Sequence, residues 1–267
     1  MAQAPTLLII AGSDSGGGAG IQADLKTASA LGVFATTAVT AITAQNTVGV
    51  QAVSAVAPDM VAAQINSVLT DIGADAIKIG MLADATVIEA VARALAAYAG
   101  PVVLDPVMVA KSGDPLLEDS AVAALRSRLV PRATVLTPNL PEAARLLDAA
   151  AASEPDDIEK QGHALMALGP RAVLMKGGHA SGEICTDLLV QAAGTRRFSA
   201  PRVATRNTHG TGCSMSSAVA SELAKGAPIE SAVERAHSWL HAAIVASDKL
   251  NIGAGHGPVH HFHEIWS

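Results

Sequence analysis

Short apolar runs alternate along this chain with longer stretches in which apolar residues recur every three or four positions. Thr6–Ala11 is a run of the first kind, stopped by Gly12. Residues 33–42, 74–79, 101–104, 133–137 and 171–175 repeat it, rich in Val, Ile and Leu, as strands buried on both faces are. Between them, 21–31, 58–72, 85–98 and 141–148 carry helical spacing, and a loop at 150–157 leads into a helix through Leu168. Residues 184–190 and 196–199 are placed to pair as antiparallel strands. A helix starts at Gly210 and runs towards Lys225, and another covers 229–250.

Strand–helix alternation at this spacing predicts βαβ units and an α/β fold with a mostly parallel central sheet. There is no internal repeat and no linker long enough to divide the chain, so residues 1–267 are expected to form a single domain. Ligands of such sheets bind beyond the carboxyl ends of the strands. Asp14, Gln45, Lys78, Asp105, Asn139 and Lys176 all end or follow an apolar run, and so are predicted to meet there.

Composition narrows the function. Half of the residues are hydrophobic but only 2% are aromatic, so small aliphatic side chains must fill the core. The net charge is −6 and no basic run is present, which argues against nucleic acid as a partner. No apolar stretch is long and unbroken enough to span a membrane. Residues 1–5 lack the basic start of a signal peptide. Two cysteines, Cys185 and Cys213, make no disulfide framework and have no zinc spacing. A reducing cytoplasm is the expected location.

Two glycine-rich segments carry the candidate chemistry. The first, 12–20, fits neither common phosphate motif: a G-x-G-x-x-G read from Gly16 ends on Ile21, and Leu25 stands where a P-loop needs glycine before Lys26. By itself it reads as a turn that lets backbone approach a ligand. The second, Asn-Thr-His-Gly-Thr-Gly-Cys at 207–213, opens a helix. The first N–H groups of that helix, at its positive end, form an anion hole suited to phosphoryl transfer. At the same helix start, Cys213 is expected to have a lowered pKa and to be able to accept a hydroxyl proton. The plainer alternative for Cys213 is an inert buried thiol, which is the reading adopted for Cys185.

Together these segments resemble the hydroxymethylpyrimidine/phosphomethylpyrimidine kinases of thiamine biosynthesis, members of the ribokinase-like superfamily. The matching stretches are AGSDSGGGAGIQADLK at 11–26, TAQNT at 43–47, KIGML at 78–82, DPVMVAKSGDPLL at 105–117, TPNLPEA at 137–143, MKGGH at 175–179, NTHGTGC at 207–213 and GHGPVHHF at 255–262. They span nearly the whole chain in the family's order. The resemblance implies a three-layer α/β/α domain and a homodimer. It also implies transfer of the ATP γ-phosphate to 4-amino-5-hydroxymethyl-2-methylpyrimidine, then a second phosphorylation to the diphosphate.

The resemblance also implies roles. Asp24 and Gln45 would read the aminopyrimidine edge, and Gly12, Ala19, Met81 and Val107 would wall the ring. Without it, Asp24 reads as a solvated first-turn helix acid and Met81 as core. Lys176, Asn139 and Thr208 would serve the nucleotide, and Asp105, Asn139 and Glu142 would organise Mg²⁺, in part through water. Asn139 and Glu142 also have capping-box spacing, and both readings can hold at once. Cys213 would be the base, with Gly210, Thr211 and Gly212 supplying the anion hole, and Lys111 would belong to a flap near phosphate. The histidines at 256, 260, 261 and 263 read as a surface or subunit contact rather than a metal site. Two other functions compete: a pyridoxal kinase, whose substrate is also a flat heteroaromatic alcohol, and a non-catalytic binder of vitamin precursors.

Overall fold

Thr6–Ala11 (β1) divides its side chains between two cores: Leu8 and Ile10 pack on one face of the sheet, and Leu7, Ile9 and Ala11 on the other. The computed structural model describes residues 4–108, 117–179 and 182–266. The remaining strands are β2 Phe34–Val39, β3 Ala41–Gln45, β4 Val50–Ala55, β5 Ala76–Ile79, β6 Val102–Leu104, β7 Val135–Leu136, β8 Ala172–Met175, β9 Ile184–Gln191 and β10 Gly194–Pro201. The α-helices are α1 Gly20–Ala30, α2 Pro58–Asp71, α3 Ala85–Ala94, α4 Asp119–Arg128, α5 Leu140–Leu147, α6 Pro155–Met166, α7 Thr211–Ala224 and α8 Ile229–Val245.

Eight strands form one sheet in the order β10-β9-β8-β7-β6-β5-β1-β2. Pairing is parallel from β8 to β2 and antiparallel for β8–β9 and β9–β10. The alternation of β1 runs across the sheet: Ile77, Leu104, Leu136 and Val173 join the core made with α2–α6, while Ala76, Val103, Val135 and Leu174 join the core made with α1, α7 and α8. Two cores on opposite faces make the three-layer α/β/α arrangement that the family resemblance implies, around the mostly parallel sheet expected from strand–helix alternation.

Residues 33–42, expected as one strand, are two. At Thr40 the backbone N–H donates to the Ala11 carbonyl and the Thr40 carbonyl accepts from Val56. The chain there leaves the main sheet and forms an antiparallel ribbon, β3–β4, with a register shift between Ala44 and Gln45. The β-branched composition continues through the switch, so propensity does not mark it. Helix α4 has no counterpart in the sequence reading; its Ala-, Ser- and Arg-rich sequence carries a weak apolar stripe. The last long helix ends at Val245, and a 3₁₀ turn covers Ser247–Lys249.

Candidate active site

The loops after β1, β5, β6, β7 and β8, the end of β3 and the start of α7 open on one cleft of about 790 Å³. It is lined by all the residues predicted for substrate, nucleotide, metal and catalysis except Asp24.

At one end the glycine loop and the β3–β4 ribbon are stitched together. Ser13 N–H donates to the Ala41 carbonyl, Thr43 Oγ1 donates to the Ser13 carbonyl, and Ser15 Oγ donates to the Gln45 carbonyl while accepting from the Gln45 N–H. These bonds hold Gln45 in the wall of the cleft that Gly12 and Met81 also line. A Cβ on Gly12 would lie 2.5 Å from Met81 Cε, so a side chain there would displace the tip of Met81.

Asp14 organises this loop. Its carboxylate accepts from the N–H groups of Gly16, Gly18 and Ala19, and from His209 Nε2 at 2.8 Å. Burial pushes its pKa up, but His209 and the backbone donors outweigh burial and hold it below the usual carboxylate range. Through His209 the loop is tied to the segment that opens α7. Gly210 there has φ +80°, and a Cβ on it would collide with the Gly18 carbonyl. The first turn of α7 carries no capping side chain, leaving its N–H groups as anion donors.

Two lysine–aspartate pairs flank that turn, one part-buried and one fully buried. Lys176, just after β8, donates to Asp105 Oδ1 at 2.7 Å, with Glu142 Oε2 at 3.9 Å. Burial opposes the Lys176 ammonium, but Asp105 and Glu142 outweigh it and raise its pKa. Burial also pushes the Glu142 carboxyl up to about 7, against the pull of Lys176. Asn139 and Glu142 form the capping box of α5: Asn139 Oδ1 accepts from Glu142 N–H and Glu142 Oε2 from Asn139 N–H, both at 2.8 Å. Asp187 Oδ1 accepts from Gly177 N–H at 2.7 Å, fixing the backbone next to Lys176.

The second pair is Lys78 and Asp24, 2.7 Å apart and both fully buried. Asp24 also accepts from Ser217 Oγ of α7 at 2.7 Å. This corrects the assignment of Asp24 to the pyrimidine edge. Its carboxylate is fully buried, held by Lys78 and Ser217, and is not part of the cleft wall, whereas Gln45 is.

Cys213 lies at the predicted place, but its charge state differs from expectation. Burial, then Asp24 and Asp105, outweigh the pull of Lys78 and push the thiol up to about 11. The helix end alone does not activate it. Cys185 is half-buried in β9, and burial raises its thiol too. His260 and His261 are buried; His261 Nε2 lies 3.0 Å from Ser214 Oγ, and burial pushes its pKa down to about 3. Lys111 lies outside the described residues.

Sequence reasoning missed the partners rather than the site: His209 for Asp14, Lys78 for Asp24, and Ser216 and Ser217 behind the two aspartates. One signal was available. In Ala-Ile-Lys-Ile, a lysine sits inside an apolar strand, where a charge survives only with a buried counter-ion.

Residues 14–260 match the family model described as phosphomethylpyrimidine kinase. The hydroxymethylpyrimidine/phosphomethylpyrimidine kinase of Escherichia coli (strain K12) is 54% identical over 260 residues, covering 97% of this chain and 98% of the relative. The enzyme of the same name from Rhizobium meliloti is 53% identical over 259 residues, covering 97% of each. The ADP complex of Bacillus subtilis pyridoxal kinase superposes with a TM-score of 0.92 at 37% identity, covering 99% of this chain and 100% of that one. Phosphomethylpyrimidine kinase from Clostridium difficile gives 0.80 at 41%, covering 91% and 100%. With its glycine loop, capping box, lysine and Gly-Thr-Gly-Cys turn gathered in one cleft, the chain belongs to the phosphomethylpyrimidine kinase family.

Proposed function

We propose that residues 1–267 act as a single ribokinase-like kinase domain. It transfers the γ-phosphate of ATP to the hydroxymethyl oxygen of 4-amino-5-hydroxymethyl-2-methylpyrimidine, then adds a second phosphate to give the diphosphate used for thiamine diphosphate. The carrying observation is convergence: Gln45, Cys213, the uncapped start of α7 and Lys176 share one cleft. Close relatives bear this activity in their names, and a structural neighbour holds ADP.

The ring lies between Gly12, Ala19, Met81 and Val107, with Gln45 offering its amide donor and acceptor to the aminopyrimidine edge. The thiol first gives its proton to water of the open cleft, and the Cys213 thiolate then takes the hydroxyl proton. The substrate oxygen bonds to the γ-phosphorus, the bond from that phosphorus to its bridging oxygen breaks, and ADP leaves. Charge on the transferring group is met by the N–H groups of Gly210, Thr211 and Gly212 and by Lys176. Asn139 and Thr208 lie along the same wall, on the nucleotide side. In the second phosphorylation the acceptor is already an ionised phosphate and needs no base.

Mg²⁺ fits here through its waters. Asp105 is already engaged by Lys176, Asn139 and Glu142 are engaged with each other, and among the described residues no three acidic, His or Cys groups converge to ligate an ion directly. The ion would neutralise phosphate charge, with Asp105, Asn139 and Glu142 holding its water shell.

A homodimer is supported by Phe34, Ile42 and Val53, large apolar side chains exposed on the edge strand β2 and the β3–β4 ribbon. No helix among the described residues is long and apolar enough to cross a membrane, which accords with work in the cytoplasm.

The test is a coupled assay with Mg-ATP in which products are followed by mass. Stepwise conversion of the pyrimidine to mono- and diphosphate is expected. Turnover of pyridoxal alone would replace the substrate, and no turnover of either would leave a binder.

A further inference from the structure

Lys78 is a charge in an apolar row. Across the sheet its register partners are Ile9 on β1 and Val103 on β6, and Val103 pairs with Val135 on β7. Its side chain leaves the face covered by α1 and α7, where it meets Asp24 from α1 at 2.7 Å. Behind Asp24 stands Ser217, four residues after Cys213 and so on the same face of α7. The geometry is repeated one residue earlier on the helix. Gly212 and Ser216 share a face, Ser216 Oγ lies 3.3 Å from Asp105 Oδ2, and a Cβ on Gly212 would be 3.4 Å from Lys176 Nζ. Lys176–Asp105 thus sits beside Gly212 of the anion hole, while Lys78–Asp24 is tied to α7 at Ser217, one turn beyond Cys213, and Lys78 and Cys213 line the same cleft. The nucleotide-side pair has an evident use; in the other, Lys78 borders the cleft without any solvent exposure and Asp24 does not reach the wall.

We propose that Lys78 is a positioning residue of the first phosphorylation: clamped by Asp24 beneath α7, it is the cation against which the Cys213 sulfur gives up and regains its proton. This rests on the reading of Cys213 as the base. The groups acting on the sulfur come from every neighbouring element: Lys78 from β5, Asp24 from α1, Asp105 after β6, Lys176 after β8, and the Gly20 N–H at the start of α1. Among the charged groups Lys78 has the largest influence on the sulfur, and it favours the thiolate; the aspartates oppose it. Burial works against the Lys78 ammonium itself, but Asp24, Cys213 and Asp105 outweigh burial and raise its pKa. Asp24 thus has two effects, holding the ammonium in place and competing with the sulfur for it. The thiolate forms as the thiol proton leaves to water of the cleft, the Lys78 ammonium being shared between Asp24 and the sulfur.

The competition makes a prediction of sign. Iodoacetamide alkylation of Cys213, read by mass spectrometry of its peptide from neutral to alkaline pH, reports the thiolate and needs no substrate. Asp24→Asn removes the competitor, and alkylation at neutral pH should rise ~10-fold. Lys78→Met removes the cation, and it should fall by about the same factor. A merely structural pair would move both variants the same way or neither, and either result overturns the proposal. If Lys78→Met does not fold, the near-isosteric Asp24→Asn carries the test alone: alkylation that is unchanged or slower overturns it. First-step turnover is then compared in the same variants. Rates that follow the thiolate support the proposal and the base reading together. Alkylation that shifts as expected with no change in first-step rate supports the hold of Lys78 on the sulfur and removes Cys213 as the base.

Discussion

Lys176 and Lys78 occupy equivalent places, each near the carboxyl end of a parallel strand, each 2.7 Å from an aspartate with an α7 serine close by, yet they are buried differently. Both lysines border the cleft, but the Lys176 side chain is 14% exposed with Asn139 and Glu142 around it, while that of Lys78 is 0% exposed and its aspartate is sealed from the cleft. A charge that keeps contact with solvent can be lent to a ligand. A sealed charge acts through its neighbours, and its loss is felt by the fold. The same arrangement of strand-borne lysine, aspartate and helix serine thus leaves one ammonium open to solvent on one side of α7 and encloses the other.

The comparison can be broken at its larger end first. Lys176→Met should lower both phosphorylations by roughly 10²–10³-fold, the scale of removing one charge stabiliser from a transition state. Equal retention of either step would remove Lys176 from phosphate contact. Cys213→Ala should lower the first step by on the order of 10²-fold, the lower range for general bases, and the second far less. Product-resolved initial rates measure both, and equal losses in the two steps would make Cys213 structural.

On stability the order reverses. Asp24→Ala strands a buried ammonium and should cost about 3–5 kcal/mol in denaturant unfolding, whereas Ser217→Ala, which leaves the pair intact, should cost about 1 kcal/mol. A smaller effect for Asp24→Ala than for Ser217→Ala would contradict the sealed-pair description.

The smallest effect is a pH slope. The folded pKa of Glu142, about 7, lies above its ordinary value, so the folded state holds the proton more tightly than the unfolded chain does. The stability this contributes is fully present below the unfolded pKa and is lost as pH rises through about 7. Between about pH 6 and pH 8 the loss should be about 1 kcal/mol, and Glu142→Gln should flatten that part of the stability profile.

How much of this was legible beforehand follows from where each signal is carried. Strand ends with polar residues are local features, so Gln45, Lys78, Asp105, Asn139 and Lys176 could be placed at one rim from hydrophobic pattern alone. The capping box of Asn139 and Glu142 was readable for the same reason. The Gly-Thr-Gly-Cys turn was readable as a helix start with free N–H groups, and the family resemblance added the ring walls. What stayed hidden depends on distant partners. Asp24 reads locally as a first-turn helix acid, and only the packing of α1 against β5 and α7 shows that Lys78 and Ser217 claim it. Cys213 reads locally as a thiol at a helix start, and only burial beside two aspartates reverses the expected shift. The departure of β3 from the main sheet at Thr40 is likewise set by a hydrogen bond to Ala11 across the fold rather than by any residue at the junction.

The bonds that complete the site join the two ends of the chain: Asp14 meets His209 across 195 positions, and Asp24 meets Ser217 across 193. Such pairings come late in folding, because the entropy of closing so long a loop is lost before any contact repays it. A nascent chain that has not yet released α7 from the ribosome holds Lys78 and Asp24 without Ser217, and an Asp14 carboxylate without His209. Catalytic competence is then a property of the finished polypeptide only. In refolding from denaturant, recovery of kinase turnover should trail the return of the far-ultraviolet helical signal, with the interval reporting the docking of α7 onto the glycine loop.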